Sequence, residues 1–123
     1  MIKLQQYSFV CAPHPMQWTG AAALSVDTTS QIDAYRRKRD MVVEGLRDDF
    51  ELVCPHGAFY ALPKAPWGTA TEFCTRAVEE HGLLIVPGRI FSRHDTHFRI
   101  SYAASDTILQ RGIEALQKLA REG

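Results

Sequence analysis

The stretch His97, Phe98, Arg99, Ile100, Ser101, Tyr102 alternates apolar and polar side chains over six residues. Successive strand residues point to opposite faces of a sheet, so Phe98, Ile100 and Tyr102 face a core and His97, Arg99 and Ser101 face away from it. This segment predicts a strand buried on one side.

Working outward, residues 83–86 (Leu, Leu, Ile, Val) are continuously apolar and end at Pro87 and Gly88. That run predicts a second strand, buried on both faces. Downstream, Ser105 is placed to cap a helix in which Leu109, Ile113, Leu116 and Leu119 face inward, while Gln110, Arg111, Glu114, Lys118 and Arg121 face water. Upstream, Thr69 and Glu72 have capping-box spacing and Gly82 ends the run, which predicts a helix over residues 70–81 with Phe73, Cys74, Ala77 and Val78 on one face. Residues 51–53 and 58–62 read as two short strands separated by Pro55 and Gly57. Before them, Ile32, Tyr35, Val42, Val43, Leu46 and Phe50 recur at helical spacing from Ser30 onward. Pro15 suits the first position of another helix, which the alanines at 21–23 continue. Residues 1–14 are mixed in character and carry no assigned element. The order is helix, helix, strands, helix, strands, helix. It predicts an α+β fold (an α/β sandwich), one small mixed sheet covered by helices, with residues 1–123 forming a single domain.

A chain of 123 residues with 46% hydrophobic content can build one packed core without a metal or disulfides to hold it. Fourteen basic and fourteen acidic residues cancel, and neither sign gathers in a run, so nucleic acid and anionic membranes are not expected partners. No apolar run approaches the roughly 18 residues of a membrane-spanning helix. Cys11, Cys54 and Cys74 are odd in number and set among apolar residues, which points to buried reduced thiols and a cytoplasmic location.

Arg99 is the leading candidate for chemistry. A guanidinium fixed on a strand can hold a carboxylate through two parallel hydrogen bonds. The same pattern fits a solvated strand residue or a partner for a nearby acidic side chain, and spacing does not decide between these. Pro87 and Gly88 would bring a bare backbone turn toward the same edge, although such residues also end ordinary strands. Cys54 with His56, and His94 with His97, are pairs without the second ligand pair that zinc sites use, so no metal site is assigned. The chain has no Gly-rich phosphate loop, paired catalytic carboxylates or nucleophile elbow, and no catalytic residue is assigned.

Several of these stretches, in order, resemble the fold-type I aminotransferases of the aspartate aminotransferase class. Residues 1–17, with Lys3, Leu4, Gln5, Gln6, Tyr7, Ser8, Cys11 and Gln17, resemble the family's lead into its C-terminal small domain. Tyr35, Arg36, Arg37, Arg39 and Asp40 resemble its long-helix motif, and Gly57, Ala58, Phe59 and Tyr60 the following strand. Residues 84–88 with Phe91 resemble the turn near the substrate, and Phe98, Arg99, Ile100 and Ser101 the strand bearing the substrate arginine. Arg89 and Ser92 depart from the pattern, which commonly has a small residue and a Gly there, so substrate preference is left open.

The resemblance implies a small domain that closes over the active site of a homodimeric enzyme dependent on pyridoxal 5'-phosphate. The reaction it implies moves an amino group between an amino acid and a 2-oxo acid, with Arg99 binding the substrate carboxylate. None of Lys3, Lys38, Lys64 and Lys118 has the surroundings of the family's Schiff-base lysine. The expectation is therefore a fragment lacking the cofactor-binding large domain, inactive and cofactor-free alone, with Met1 internal or introduced. Related lyases, decarboxylating acyltransferases and synthases, or a non-catalytic regulatory domain, share such a small domain and remain alternatives. So does a free-standing interaction domain, in which the matches are accidental.

Overall fold

The computed structural model describes residues 1–123, which divide into two compact units, Met1–Ser30 and Gln31–Gly123. The first unit holds α1 (Ile2–Ser8) and α2 (His14–Ala23) and the start of α3 (Thr29–Leu46). It buries no side chain: Met1, Ile2, Leu4, Tyr7, Phe9, Met16 and Trp18 are all exposed. The helix expected from Pro15 is α2, with Pro15 in its first turn. The helix α1 was not expected. No helix is long and apolar enough to cross a membrane.

The second unit continues α3 and adds β1 (Tyr60–Ala61), α4 (Ala70–His81), β2 (Val86–Pro87), a 3-10 turn (Gly88–Ile90), β3 (Phe98–Ser101) and α5 (Asp106–Arg121). The three strands form one sheet in the order β1-β3-β2. This is the α+β class expected from the sequence, with both strand pairings antiparallel rather than mixed. Tyr60 lies opposite Ser101 and Val86 opposite Arg99.

Local chemistry explains where these elements start and stop. The Thr69 hydroxyl accepts from the Glu72 N–H while the Glu72 carboxylate accepts from the Thr69 N–H, a complete capping box. Gly82 closes α4 in the left-handed region at φ 60°, and its N–H donates to the Ala77 and Val78 carbonyls. Ser105 caps α5 by accepting from the Ile108 N–H. The inward stripe of α5 is as read from the sequence: Leu109, Ile113, Leu116 and Leu119 are all buried.

Three rings centre the core. Phe73 of α4 stacks on Phe98 of β3 at 5.0 Å, and Phe50, just past α3, meets both edge-on at 5.9 Å. Val42 and Leu46 of α3 join Ala77 of α4, Ile100 of β3 and the α5 stripe in the same cluster. Such rings each remove 150 to 250 Å² from water in typical cores, so this cluster fixes β3 from beneath.

Three expectations are corrected. Residues 51–53 form no strand; the segment makes one extended contact, the Glu51 carbonyl accepting from the Lys64 N–H, without a ladder. Residues 83–86 are not buried on both faces, because Ile85 is buried while Leu84 is 83% exposed, and β2 is confined to Val86–Pro87. Of the cysteines only Cys74 is buried; Cys54 is half-buried and Cys11 is exposed. An apolar neighbourhood in sequence does not bury a thiol where the unit around it has no core.

Candidate functional site

β3 is the central strand, and its register sets the site. Phe98 and Ile100 point into the core, so Arg99 leaves the opposite face of the sheet. Its guanidinium carbon lies 4.5 Å from the Tyr60 ring centroid and 4.5 Å from the Phe91 ring centroid. Both distances lie well inside the roughly 6 Å over which a cation feels an aromatic face.

Each ring is delivered by a defined piece of backbone. Tyr60 reaches the Arg99 face because it pairs with Ser101, the next residue on that side of β3. The segment before it is held by Tyr102, whose hydroxyl donates to the Ala58 carbonyl and whose N–H donates to the Phe59 carbonyl. Ala58 takes φ 58°, a left-handed value that costs a side-chain-bearing residue energy, and these two bonds fix it there.

Phe91 is delivered by the turn after β2. The Gly88 N–H donates to the His97 carbonyl at 2.7 Å, and the Phe91 and Ser92 N–H groups both donate back to Gly88. A Cβ at Gly88 would collide with that His97 carbonyl oxygen. The expectation that Pro87 and Gly88 bring a bare backbone turn to this edge is what the structure shows. Phe91 also borders a cavity of about 400 Å³ lined by Leu62, Gly88, His94 and His97.

Electrostatics separate Arg99 from the other arginines. Three arginines are partly buried: Arg39, Arg76 and Arg99. Arg39 pairs with Asp40 at 2.6 Å and Arg76 with Glu80 at 2.6 Å. No side-chain hydrogen bond or ion pair engages Arg99, so although partly buried it is not satisfied by an acidic neighbour. The two ring contacts are made to the charge and use none of its N–H groups, which all lie in the guanidinium plane. These are the groups that hold a carboxylate through two parallel bonds.

The other candidates are not gathered here. Cys54 lies 3.9 Å from the carbonyl of Pro55, and His56 borders a different cavity beside Arg39 and Tyr102. The His97 ring bonds the Thr96 hydroxyl at 2.9 Å. A grouping that no sequence motif signals is Glu80, His81 and Glu122, whose ligand atoms lie within 4.8 Å of one another. Both Glu80 oxygens there are engaged by Arg76. The resemblance put Phe91 in the turn near the substrate, but the residue pattern did not set Tyr60 or Phe91 against Arg99. The strand pairing could have signalled Tyr60, but no local pattern places Phe91.

The site is thus a strand-borne arginine without an acidic partner, on a small antiparallel sheet packed with helices. Residues 2–116 match the family model described as aminotransferase class I and II, and the chain belongs to that family. It is 31% identical to the aspartate aminotransferase of Thermotoga maritima over 95% of this chain and 30% of that protein. It is 32% identical to the aspartate/prephenate aminotransferase of Thermus thermophilus over 84% of this chain and 29% of that protein. The crystal structure of the Thermotoga maritima enzyme superposes with a TM-score of 0.88 at 28% identity, covering 97% of this chain and 32% of that one. The chain spans about a third of the length of the curated relatives it matches.

The family implies pyridoxal phosphate, whose Schiff base forms on a lysine, and the lysines of this chain have the following surroundings. The Lys38 ammonium donates to the Ala104 carbonyl at 2.5 Å, and Lys64 is bonded to Glu51 at 2.8 Å. Lys118 lies 3.8 Å from Glu122, and Lys3 sits on the exposed helix α1.

Proposed function

We propose that this chain is the small domain of a complete enzyme that moves an amino group between an amino acid and a 2-oxo acid, and that Arg99 binds the substrate α-carboxylate. The observation that carries the reading is the Arg99 guanidinium, partly buried, within 4.5 Å of two ring centroids and engaged by no carboxylate of its own chain. A substrate carboxylate supplies the missing charge through the unused N–H groups of the fork.

In this reading pyridoxal phosphate, held elsewhere in the complete homodimeric protein, supplies the electron sink for the amino-group exchange. Arg99 orients the substrate by its carboxylate, and the domain carrying Arg99 closes over it to exclude water. The isolated chain is inactive and binds no cofactor, consistent with the engagement of Lys38, Lys64 and Lys118 elsewhere.

The test is Arg99→Ala in the complete polypeptide. The substrate KM rises by about two orders of magnitude, the loss of one charge-assisted bidentate pair, while cofactor absorbance is retained. Arg99→Lys rescues only in part, since an ammonium cannot reproduce the planar fork. An unchanged KM in Arg99→Ala refutes the assignment.

A further inference from the structure

We propose that Tyr60 and Phe91 are positioning residues that clamp the Arg99 guanidinium in the orientation needed to receive a carboxylate. The inference rests on the carboxylate-binding reading of Arg99 and adds what makes that side chain competent.

An arginine side chain has four rotatable bonds, and an unpaired one on a surface samples many rotamers. Ordering it must accompany ligand capture, which weakens binding. Here the guanidinium is held beforehand. Its carbon sits 4.5 Å from each of two ring centroids contributed by separate elements, β1 and the segment after the 3-10 turn. Two aromatic rings attract the cation without consuming an N–H, because the ring quadrupole acts on the charge and needs no hydrogen-bond donor. An acidic side chain would also hold the guanidinium, but it would occupy the hydrogen-bonding edge and compete with the substrate. The clamp therefore fixes the arginine while leaving its fork vacant.

The rings have little else to do in this chain. Phe91 is 56% exposed and Tyr60 37% exposed, and neither belongs to the core cluster. Tyr60 also touches Phe59, with ring centroids 4.4 Å apart, a further contact that steadies the ring. The Tyr60 hydroxyl makes no hydrogen bond, so Phe is an adequate substitute at that position and Tyr at position 91.

The experiment is made on the complete polypeptide with Phe91→Leu, Tyr60→Leu, the double variant, and the ring-preserving Phe91→Tyr and Tyr60→Phe. The Kd of a non-reacting carboxylate analogue of the amino acid is measured by titration calorimetry beside kcat and KM. Each Leu variant weakens analogue binding and raises KM about threefold to fivefold, the factor expected for losing one exposed cation–π contact. The double variant weakens them roughly tenfold or more. The kcat stays within about twofold, and both ring-preserving variants bind as the unaltered protein does. Melting curves keep the result readable, since removing an exposed ring leaves the fold intact. The clamp is overturned if the Leu variants bind the analogue as tightly as the unaltered protein while Arg99→Ala loses it. If Arg99→Ala also binds unchanged, the reading beneath it falls as well.

Discussion

Replacing Gly88 by Ala tests the construction of the site. The added Cβ meets the His97 carbonyl oxygen, which accepts the Gly88 N–H at 2.7 Å, so the turn and β3 must separate. The loss is one buried backbone hydrogen bond, about 1 kcal/mol net, plus the strain of forcing an extra methyl into a packed place, about 1 to 3 kcal/mol. Together they destabilise the second unit by about 2 to 4 kcal/mol. At about 5 °C per kcal/mol for a unit of this size, Tm falls by about 10 to 20 °C. Urea titration gives the same quantity as a lower midpoint at unchanged slope. Gly57→Ala is the control: nothing lies within 4 Å of a Cβ there, and its cost stays under about 0.5 kcal/mol. A Gly88→Ala protein melting within 1 °C of the parent refutes the claim that this close approach holds the Phe91 turn against β3.

Thr69→Ala removes the hydroxyl half of the α4 capping box and costs about 1 kcal/mol by urea titration. The remaining half depends on the Glu72 carboxylate, whose pKa is lowered chiefly by the Thr69 N–H. A lowered folded pKa gives stability that is present above the ordinary value of 4.5 and lost as pH falls through the folded one, so acidification below 4.5 weakens α4. Burial pushes the Cys74 thiol up from 9.0 to about 11. Between those values the unfolded chain has lost the proton that the folded chain keeps, so stability falls by about 1.4 kcal/mol per pH unit. Cys74→Ala flattens that slope in melts taken across pH 9 to 11. The same burial makes Cys11 react with a thiol reagent long before Cys74 does.

The parts of the fold legible in the sequence are those where local signals and periodicity agree. Thr69, Glu72 and Gly82 bound α4, and the leucine stripe of α5 declares its buried face. The alternation of Phe98, Ile100 and Tyr102 fixes which way Arg99 points. The illegible parts are those where an apolar residue has no core beneath it. Helix α1 has no buried face, so no periodic stripe announces it. Residues 83–86 are uniformly apolar, yet Leu84 faces outward and Ile85 inward, a difference composition cannot carry. Residues 51–53 have strand-like content but find no neighbour to pair with beyond one bond to Lys64.

For the candidate site, Arg99 could be singled out because a strand fixes its direction. Whether it was paired could not be read, since that depends on which acidic side chains the fold brings near, and the fold brings none. Tyr60 belongs to the site through a cross-strand register that two separate short runs do not specify alone. Phe91 belongs through a turn whose geometry depends on Gly88 meeting a backbone carbonyl nine residues away in sequence.

The most direct measurement compares kcat/KM for an amino acid with that for the amine left when its α-carboxylate is removed, in the complete polypeptide with and without Arg99→Ala. The account predicts that the substitution lowers kcat/KM for the amino acid by about two to three orders of magnitude, the worth of a bidentate charged pair, and leaves the amine within about twofold. Equal losses on both substrates, or none on either, would contradict the claim that Arg99 holds the carboxylate.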